Sequence, residues 1–310
     1  MTAKTVTVFG ATGNQGGSVL RSLVGDEKYK VRAVTRNPES DKAKAFKEQG
    51  CEVVKADIDD PSTLKGALDG AYGAFLVTNY LEHRDAEREQ RQGKAVVDAA
   101  KECGVKHLVY SGLENVESRM GKKCEHFDSK SKVIDYIKEK GVPYTAILYS
   151  CYYENFEHML KPKKNEEGVY EISMPTGDHP VHMVCASEAG EVTHQVLNKP
   201  DEYLNKTIGI SSDKLSVAQM KDTFAKVFPE RKFGLGKSSL EKMYQIPGLQ
   251  SFAAMYEFFC HPEFKRDTEL TRKLHPGIPT FEQWLTTNKD KMSKLLDAPP
   301  MKRPVGPGPK

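Results

Sequence analysis

The stretch "VFGATGNQGG", residues 8–17, decides the fold of this chain. It joins an apolar run at 5–9 to a segment whose apolar residues have helical spacing. Gly10 would allow a tight turn, Gly13 would admit a pyrophosphate close to the backbone, and Gly16 would let the helix pack closely. A strand, a glycine turn and a helix in this order predict a dinucleotide site, although the spacing Gly-x-x-Gly-x-x-Gly departs from the usual Gly-x-Gly-x-x-Gly.

Alternation of apolar runs with helix-like segments continues through the first half of the chain. The runs lie at 5–9, 31–35, 52–55, 73–78, 107–111 and 144–149. Such alternation is typical of an α/β fold, and we predict a Rossmann-type doubly wound parallel sheet. The predicted domains are a Rossmann domain over 1–151 with returning segments near 180–212, a smaller α+β domain over 152–297, and a disordered tail rich in Pro and Gly over 298–310.

Composition excludes several classes of protein. The 310 residues are 38% hydrophobic and 29% charged with a net charge of +3, which favours a globular protein without a direct nucleic-acid partner. No apolar run is long enough to span a membrane, so no membrane partner is expected. Six scattered cysteines favour a reducing compartment, the cytoplasm with the perinuclear region or nucleus. The "HPVH" of 179–182 has no third ligand nearby, so we expect no metal.

The second strand ends in "AVTRNPES", where an NAD site would place an acidic residue. Arg36 stands there instead, and a guanidinium matches a 2′-phosphate in charge and geometry. The sequence therefore predicts NADP(H) as the cofactor. The densely charged segment 82–94 is interpreted as a solvated helix face.

The stretches "VFGATGNQGGSV", "VTRNP", "VTNY", "VYSGLENV" and "SCYYENF" together resemble the NmrA-like family, an atypical branch of the short-chain dehydrogenases, and within it the vertebrate redox sensors. The resemblance covers nearly the whole chain. It implies an NADP(H) site formed by Gly10, Ala11, Thr12, Gly13, Asn14, Gln15, Arg36, Asp57, Ile58, Thr78, Asn79, Tyr80, Arg91, Lys130, Tyr152, Tyr153, Glu154 and Asn155.

The same resemblance bears on catalysis. Reductases of the superfamily use a Tyr-x-x-x-Lys pair, and "HFDSK" places His126 at the tyrosine position while Lys130 keeps the lysine. We therefore expect no dehydrogenase activity but an NADP(H) redox sensor, in which segments 35–42 and 150–156 become ordered around the cofactor. The resemblance further implies a homodimer, regulatory or metabolic protein partners, and a role in transcription regulation. The alternative is an NADPH-dependent reductase of quinone- or isoflavone-like molecules that uses Lys130 with His126 or with a tyrosine of "YSCYYENF", residues 149–156.

Overall fold

The computed structural model describes residues 2–298. This part of the chain contains thirteen strands: β1 (Lys4–Val8), β2 (Tyr29–Thr35), β3 (Glu52–Lys55), β4 (Gly73–Leu76), β5 (His107–Gly112), β6 (Tyr144–Leu148), β7 (Cys151–Tyr152), β8 (Lys163–Lys164), β9 (Tyr170–Ile172), β10 (Val181–Val184), β11 (Lys206–Gly209), β12 (Asp213–Leu215) and β13 (Phe233–Leu235).

The same residues form fifteen α-helices: α1 (Asn14–Leu23), α2 (Asp41–Glu48), α3 (Leu64–Leu68), α4 (Tyr80–His83), α5 (Ala86–Glu102), α6 (Val116–Met120), α7 (Glu125–Lys140), α8 (Gly190–Asn198), α9 (Pro200–Tyr203), α10 (Val217–Val227), α11 (Leu240–Gln245), α12 (Gln250–Phe259), α13 (Thr268–Leu274), α14 (Phe281–Thr287) and α15 (Lys289–Asp297). Short 3₁₀ helices cover Pro61–Thr63 and Tyr153–Glu157.

Seven strands form one parallel sheet in the order β11-β6-β5-β4-β1-β2-β3. Its strands are rich in buried Val, Ile, Leu and Phe, because helices cover both faces of the sheet. The predicted α/β class and Rossmann-type sheet are confirmed. The strand order reverses between β1 and β4, and a ligand of such a sheet binds at that point, beyond the carboxyl ends of the strands.

The rest of the chain builds two three-stranded sheets, β12-β10-β7 and β13-β9-β8, and the helices that pack on them. Their shared core is aromatic, and Phe224, Phe281 and Trp284 are almost fully buried within it. Tyr153 and Phe156, which directly follow β7, also lie in this core.

The chain returns to the large sheet before this region is complete, since α10, α12 and α14 of the aromatic core follow β11. Strand β11, which falls within the predicted range 180–212, pairs with β6 at the sheet edge. Helix α8 packs against α1, and the backbone N–H of Gly190 donates to Ser18 Oγ at 2.8 Å. Strands β10 and β12 belong instead to a small sheet. The predicted tail over 298–310 lies outside the described residues except for Ala298.

Two further features bear on the class of protein. All six cysteines lie within the described part of the chain, and none of them forms a disulfide. Within residues 2–298, no helix combines the length and the apolar composition that crossing a bilayer requires.

Candidate functional site

A cavity of about 970 Å³ lies beyond the carboxyl ends of β1, β2, β4 and β5. This volume is at the upper end of the range for cofactor sites. The cavity spans the point between β1 and β4 where the strand order reverses. One end is polar and follows β2 and β3, and the other end is apolar and reaches α12. A long ligand with one polar and one more apolar end fits this shape.

The glycine turn forms the floor of the cavity. Gly10 has a φ of +68°, which a residue with a side chain adopts at a cost. A Cβ on Gly16 would lie 2.2 Å from the carbonyl oxygen of Gly10, so only glycine allows α1 to start against the turn. Helix α1 then directs its first backbone N–H groups, with their partial positive charge, towards the cavity. The turn therefore offers the cradle that a pyrophosphate requires.

Gln15, in the first turn of α1, offers a further polar atom to a ligand of the cavity. Its side chain is buried, and its Nε2 donates to the hydroxyl of Tyr152. Its Oε1 has no hydrogen-bond partner in the structure. Because a buried polar atom normally has a partner, this oxygen fits a donor from a bound ligand.

At the polar end, Arg36 and Glu82 form an ion pair. Nη1 of Arg36 donates to Oε1 of Glu82 at 2.6 Å, and both side chains are exposed. This hydrogen bond, with the charge of Glu82, raises the pKa of Arg36. Asp57 and Ile58 line the cavity beside them.

Lys42 adds a second cation at this end of the cavity. It lies in the first turn of α2, and its Nζ donates to the backbone carbonyl of Thr12 at 2.8 Å. Two positive groups, Arg36 and Lys42, therefore border the polar end, on either side of the segment that joins β2 to α2.

Lys130 is held by a buried network. Its Nζ donates to Glu89 Oε1 at 2.6 Å, to the carbonyl of Thr78 at 2.7 Å and to the Thr78 hydroxyl at 2.8 Å. These contacts use all three donors of the ammonium group. Glu89 is fully buried and also accepts from Ser129 and Thr78.

The pKa of Glu89 reports two opposing effects. Burial by itself raises the pKa of this carboxyl, but the ammonium of Lys130 and the three hydrogen bonds outweigh burial and bring the pKa below its usual value. The carboxylate is therefore charged at neutral pH. The Lys130–Glu89 pair ties α5 to α7 beneath the end of β4.

His126 lies one helical turn before Lys130 and lines the cavity. Its Nδ1 is 3.1 Å from Ser251 Oγ, and its Nε2 is 3.3 Å from Met255 Sδ. Burial lowers the pKa of His126 to about 4, so the imidazole is neutral at physiological pH. A neutral imidazole held in this way is a poor proton donor.

The apolar end of the cavity, which we call the apolar chamber, consists mainly of one face of α12. It is formed by Phe127, Met159, Phe252, Met255, Tyr256 and Phe259. The last four have the spacing i, i+3, i+4, i+7, which places them on one face of the helix. Lys130 lines the cavity as well, but Glu89 balances its charge.

Most of the predicted cofactor residues are brought together here. Those that line the cavity are Gly10, Thr12, Gly13, Asn14, Gln15, Arg36, Asp57, Ile58, Thr78, Asn79, Tyr80, Lys130, Tyr152 and Asn155. The side chains of the four other predicted residues do not line the cavity. Ala11 packs in the core under the sheet, and Arg91 is exposed on α5, where Asp85 and Glu87 lie 4.0 Å away.

The other two belong to the 3₁₀ helix after β7. Tyr153 is fully buried and donates to Asp213, and the buried Glu154 accepts from the backbone N–H groups of Ala186 and Ser187. Cys151, Tyr153 and Phe156 of segment 150–156 already pack into the aromatic core, so a cofactor has fewer residues to order here than the sequence suggested. Ser150, Tyr152 and Asn155 of the same segment line the cavity.

The sequence reasoning missed several residues of the site. Glu89, Gln92 and Gly93 are buried, so the interpretation of 82–94 as a solvated face is wrong at these three positions. Lys42, Glu82 and the residues of α12 were missed too. The helical spacing of the apolar residues in 252–259 was visible, but the same spacing is typical of core packing.

No metal site is present in the part of the chain that the structure describes, where no three His, Cys, Asp or Glu side chains are placed to hold an ion. His182 of the "HPVH" stretch is buried, and its Nδ1 lies 3.1 Å from Ser211 Oγ. Burial lowers the pKa of His182 to about 4.

Similarity to known proteins agrees with this architecture. The NmrA-like family model matches residues 2–285. The NmrA-like family domain-containing oxidoreductase malD of Malbranchea aurantiaca is 37% identical to this chain, over 90% of the chain and 95% of the relative. A family protein of Dictyostelium discoideum is 30% identical, over 73% of this chain and 78% of its own length.

Two solved structures share the fold. The transcriptional regulator NmrA in complex with NADP superposes with a TM-score of 0.78 at 21% identity, covering 96% of this chain and 99% of its own. The triphenylmethane reductase of Citrobacter sp. in complex with NADP(H) has a TM-score of 0.74 at 24% identity, covering 92% and 99%. The match of the family model over nearly the whole length and the 37% identity to malD establish that the chain belongs to the NmrA-like family.

Proposed function

We propose that this protein binds NADP(H) in the cavity and acts as a redox sensor, a regulatory protein without dehydrogenase activity. The proposal rests on Lys130 and His126, which stand at the two positions where a reductase of this superfamily has its catalytic Tyr-x-x-x-Lys pair. The ammonium of Lys130 donates all three of its hydrogen bonds to Glu89 and Thr78. At the position of the tyrosine, His126 is neutral.

Binding of the dinucleotide is supported by the residues that line the cavity. The turn at Gly10–Gly16 and the first N–H groups of α1 suit the pyrophosphate, and Arg36 suits the 2′-phosphate. The orphaned oxygen of Gln15 suits a donor on the cofactor. NmrA is solved with NADP and with NAD, and a reductase of the same fold is solved with NADP(H), so the solved structures agree with a nicotinamide dinucleotide, while the choice of NADP(H) rests on Arg36.

Response to the NADPH/NADP⁺ ratio needs a difference in affinity between the two forms, because a ligand shifts an equilibrium only by its differential affinity. The 2′-phosphate is common to both forms. Their difference lies in the nicotinamide ring, which is neutral when reduced and positively charged when oxidised. The apolar chamber penalises a charge, so it favours NADPH.

The mobile element that we propose is segment 35–42, which joins β2 to α2. It is polar and largely exposed, and Arg36 makes its one side-chain hydrogen bond to Glu82. The apolar side chains of Leu81 and Met159 are about half exposed at the rim of the same cavity. A cofactor that draws Arg36 inward changes the surface around them, and self-association or partner binding would report that change.

Hydrogen exchange and gel filtration test the sensor together. We expect saturating NADPH to slow exchange in segment 35–42, to leave the buried core residues Tyr153 and Phe156 nearly unchanged, and to shift the oligomer distribution more than NADP⁺ does. Protection of the glycine turn without any change in segment 35–42 or in the oligomer would refute the switch.

A reductase is the second candidate, because the apolar chamber could hold a planar conjugated acceptor beside the nicotinamide. Several relatives are named oxidoreductases, malD among them. Loss of NADPH absorbance over a panel of quinones and enones tests this function. Turnover that His126→Ala abolishes would establish the reductase and reject the sensor.

A further inference from the structure

Glu82 lines the cavity, but the binding of NADP(H) proposed above gives it no role. It lies in α4, which follows β4, while its partner Arg36 follows β2. In the sheet, β1 lies between these two strands. The Arg36–Glu82 ion pair therefore spans the end of β1 and the glycine turn that follows it.

The contact is tight but replaceable. Nη1 of Arg36 and Oε1 of Glu82 are 2.6 Å apart, and this is the one side-chain hydrogen bond that either residue makes within residues 2–298. The side chains are 61% and 45% exposed. Water screens a pair of this kind, so a dianionic phosphate is able to displace the carboxylate.

Displacement leaves Glu82 beside the phosphate that replaced it. The acidic Asp57 and Asp59 line the same end of the cavity, although Arg88 holds Asp59 at 2.7 Å. A cofactor with a 2′-phosphate thus loses affinity twice, first by breaking the ion pair and then by repulsion from the carboxylate. A cofactor with a 2′-hydroxyl brings no such charge and leaves the pair intact.

We propose that Glu82 competes with the 2′-phosphate for Arg36 and thereby sets how strongly the protein prefers NADPH to NADH. This inference rests on the proposed placement of the 2′-phosphate at Arg36. Glu82 lowers the affinity for NADPH selectively, which keeps the site responsive to changes in NADPH concentration instead of saturated.

Calorimetric titration of the full chain with NADPH and with NADH tests the proposal. We expect Glu82→Gln to lower the Kd for NADPH about two- to fivefold, the size of a half-exposed ion pair, and to leave the Kd for NADH within the error. The matched control is Glu52→Gln. It removes an exposed carboxylate that pairs with Arg32 at 2.9 Å outside the cavity, and neither Kd should change.

Arg36→Gln separates the failure of this inference from failure of the cofactor placement. We expect it to weaken NADPH binding and to shrink the effect of Glu82→Gln when the two are combined. If Arg36→Gln weakens NADPH binding but Glu82→Gln does not tighten it, or tightens NADH binding equally, the competition proposed here is refuted and the placement stands. If Arg36→Gln leaves NADPH binding unchanged, both are refuted.

Discussion

The ammonium of Lys130 is hydrogen-bonded to Glu89 and Thr78 of the protein itself. A reductase of this superfamily would need the same ammonium to hold the nicotinamide ribose. The ammonium of Lys130 can turn to a ribose only by exchanging one of these partners. Neither partner can be removed alone without a cost, because the remaining charge would be buried without a counter-charge.

Stability measurements should reveal this dependence. Glu89→Gln leaves the ammonium of Lys130 without a counter-charge, and Lys130→Met leaves the buried carboxylate alone. We expect each change to lower the free energy of unfolding by about 3 kcal/mol in urea titrations. The double variant should lose much less than the sum, since it leaves no unpaired charge. Additive losses below about 1 kcal/mol would show that the pair contributes little.

The lowered pKa of His126 predicts how the free energy of unfolding depends on pH. Its pKa is about 4 in the folded protein against an ordinary 6.5, so between these values the unfolded chain binds a proton that the folded protein excludes. The free energy of unfolding therefore falls as the pH drops from about 6.5 to 4. The slope is about 1.4 kcal/mol per pH unit for one such histidine.

His126→Gln, which keeps a polar group near Ser251, should flatten this slope. His107 and His182, whose pKa values burial also lowers to about 4, would still contribute to the loss. Urea unfolding at several pH values measures the difference. The control is His158→Gln at an exposed position, which should leave the slope as it is.

Helix α12 acts at the scale of an element, because its apolar face makes most of the chamber at the nicotinamide end. Met255→Glu would add a negative charge to that face, whereas Met255→Gln adds only polarity. We expect the Glu variant to lower the ratio of the Kd for NADP⁺ to the Kd for NADPH by about fivefold, or roughly 1 kcal/mol. Calorimetry with both forms checks this, and an equal effect of Gln would contradict an electrostatic origin.

The elements also show what the sequence could predict. The glycine turn and the six strands up to β6 follow from local patterns, since each turn and apolar run encodes its own conformation. The burial of Glu89 does not follow from a local pattern, because the cation that allows this carboxylate to be buried, Lys130, comes from α7. The contribution of α12 to the cavity was equally invisible, as nothing in 250–259 marks a face that meets a sheet built from the first half of the chain.

At the scale of the whole molecule, the chain leaves the large sheet after β6, returns to it as β11, and then supplies most of the aromatic core from the residues after 216. The cavity is completed by both parts, because its floor comes from the turn after β1 and its far wall from α12. The site therefore contains residues from both of the domains predicted from the sequence, 1–151 and 152–297.

The pairing of β11 with β6 has a consequence for synthesis on the ribosome. Until β11 emerges, β6 presents a row of unsatisfied backbone N–H and C=O groups, which is a template for aggregation with other chains. A nascent chain that stops after residue 151 carries all the phosphate-binding loop and still lacks the strand that covers the edge of β6. Such a fragment should be recovered mainly in inclusion bodies, and the full chain should depend on chaperones during the interval before β11 is made.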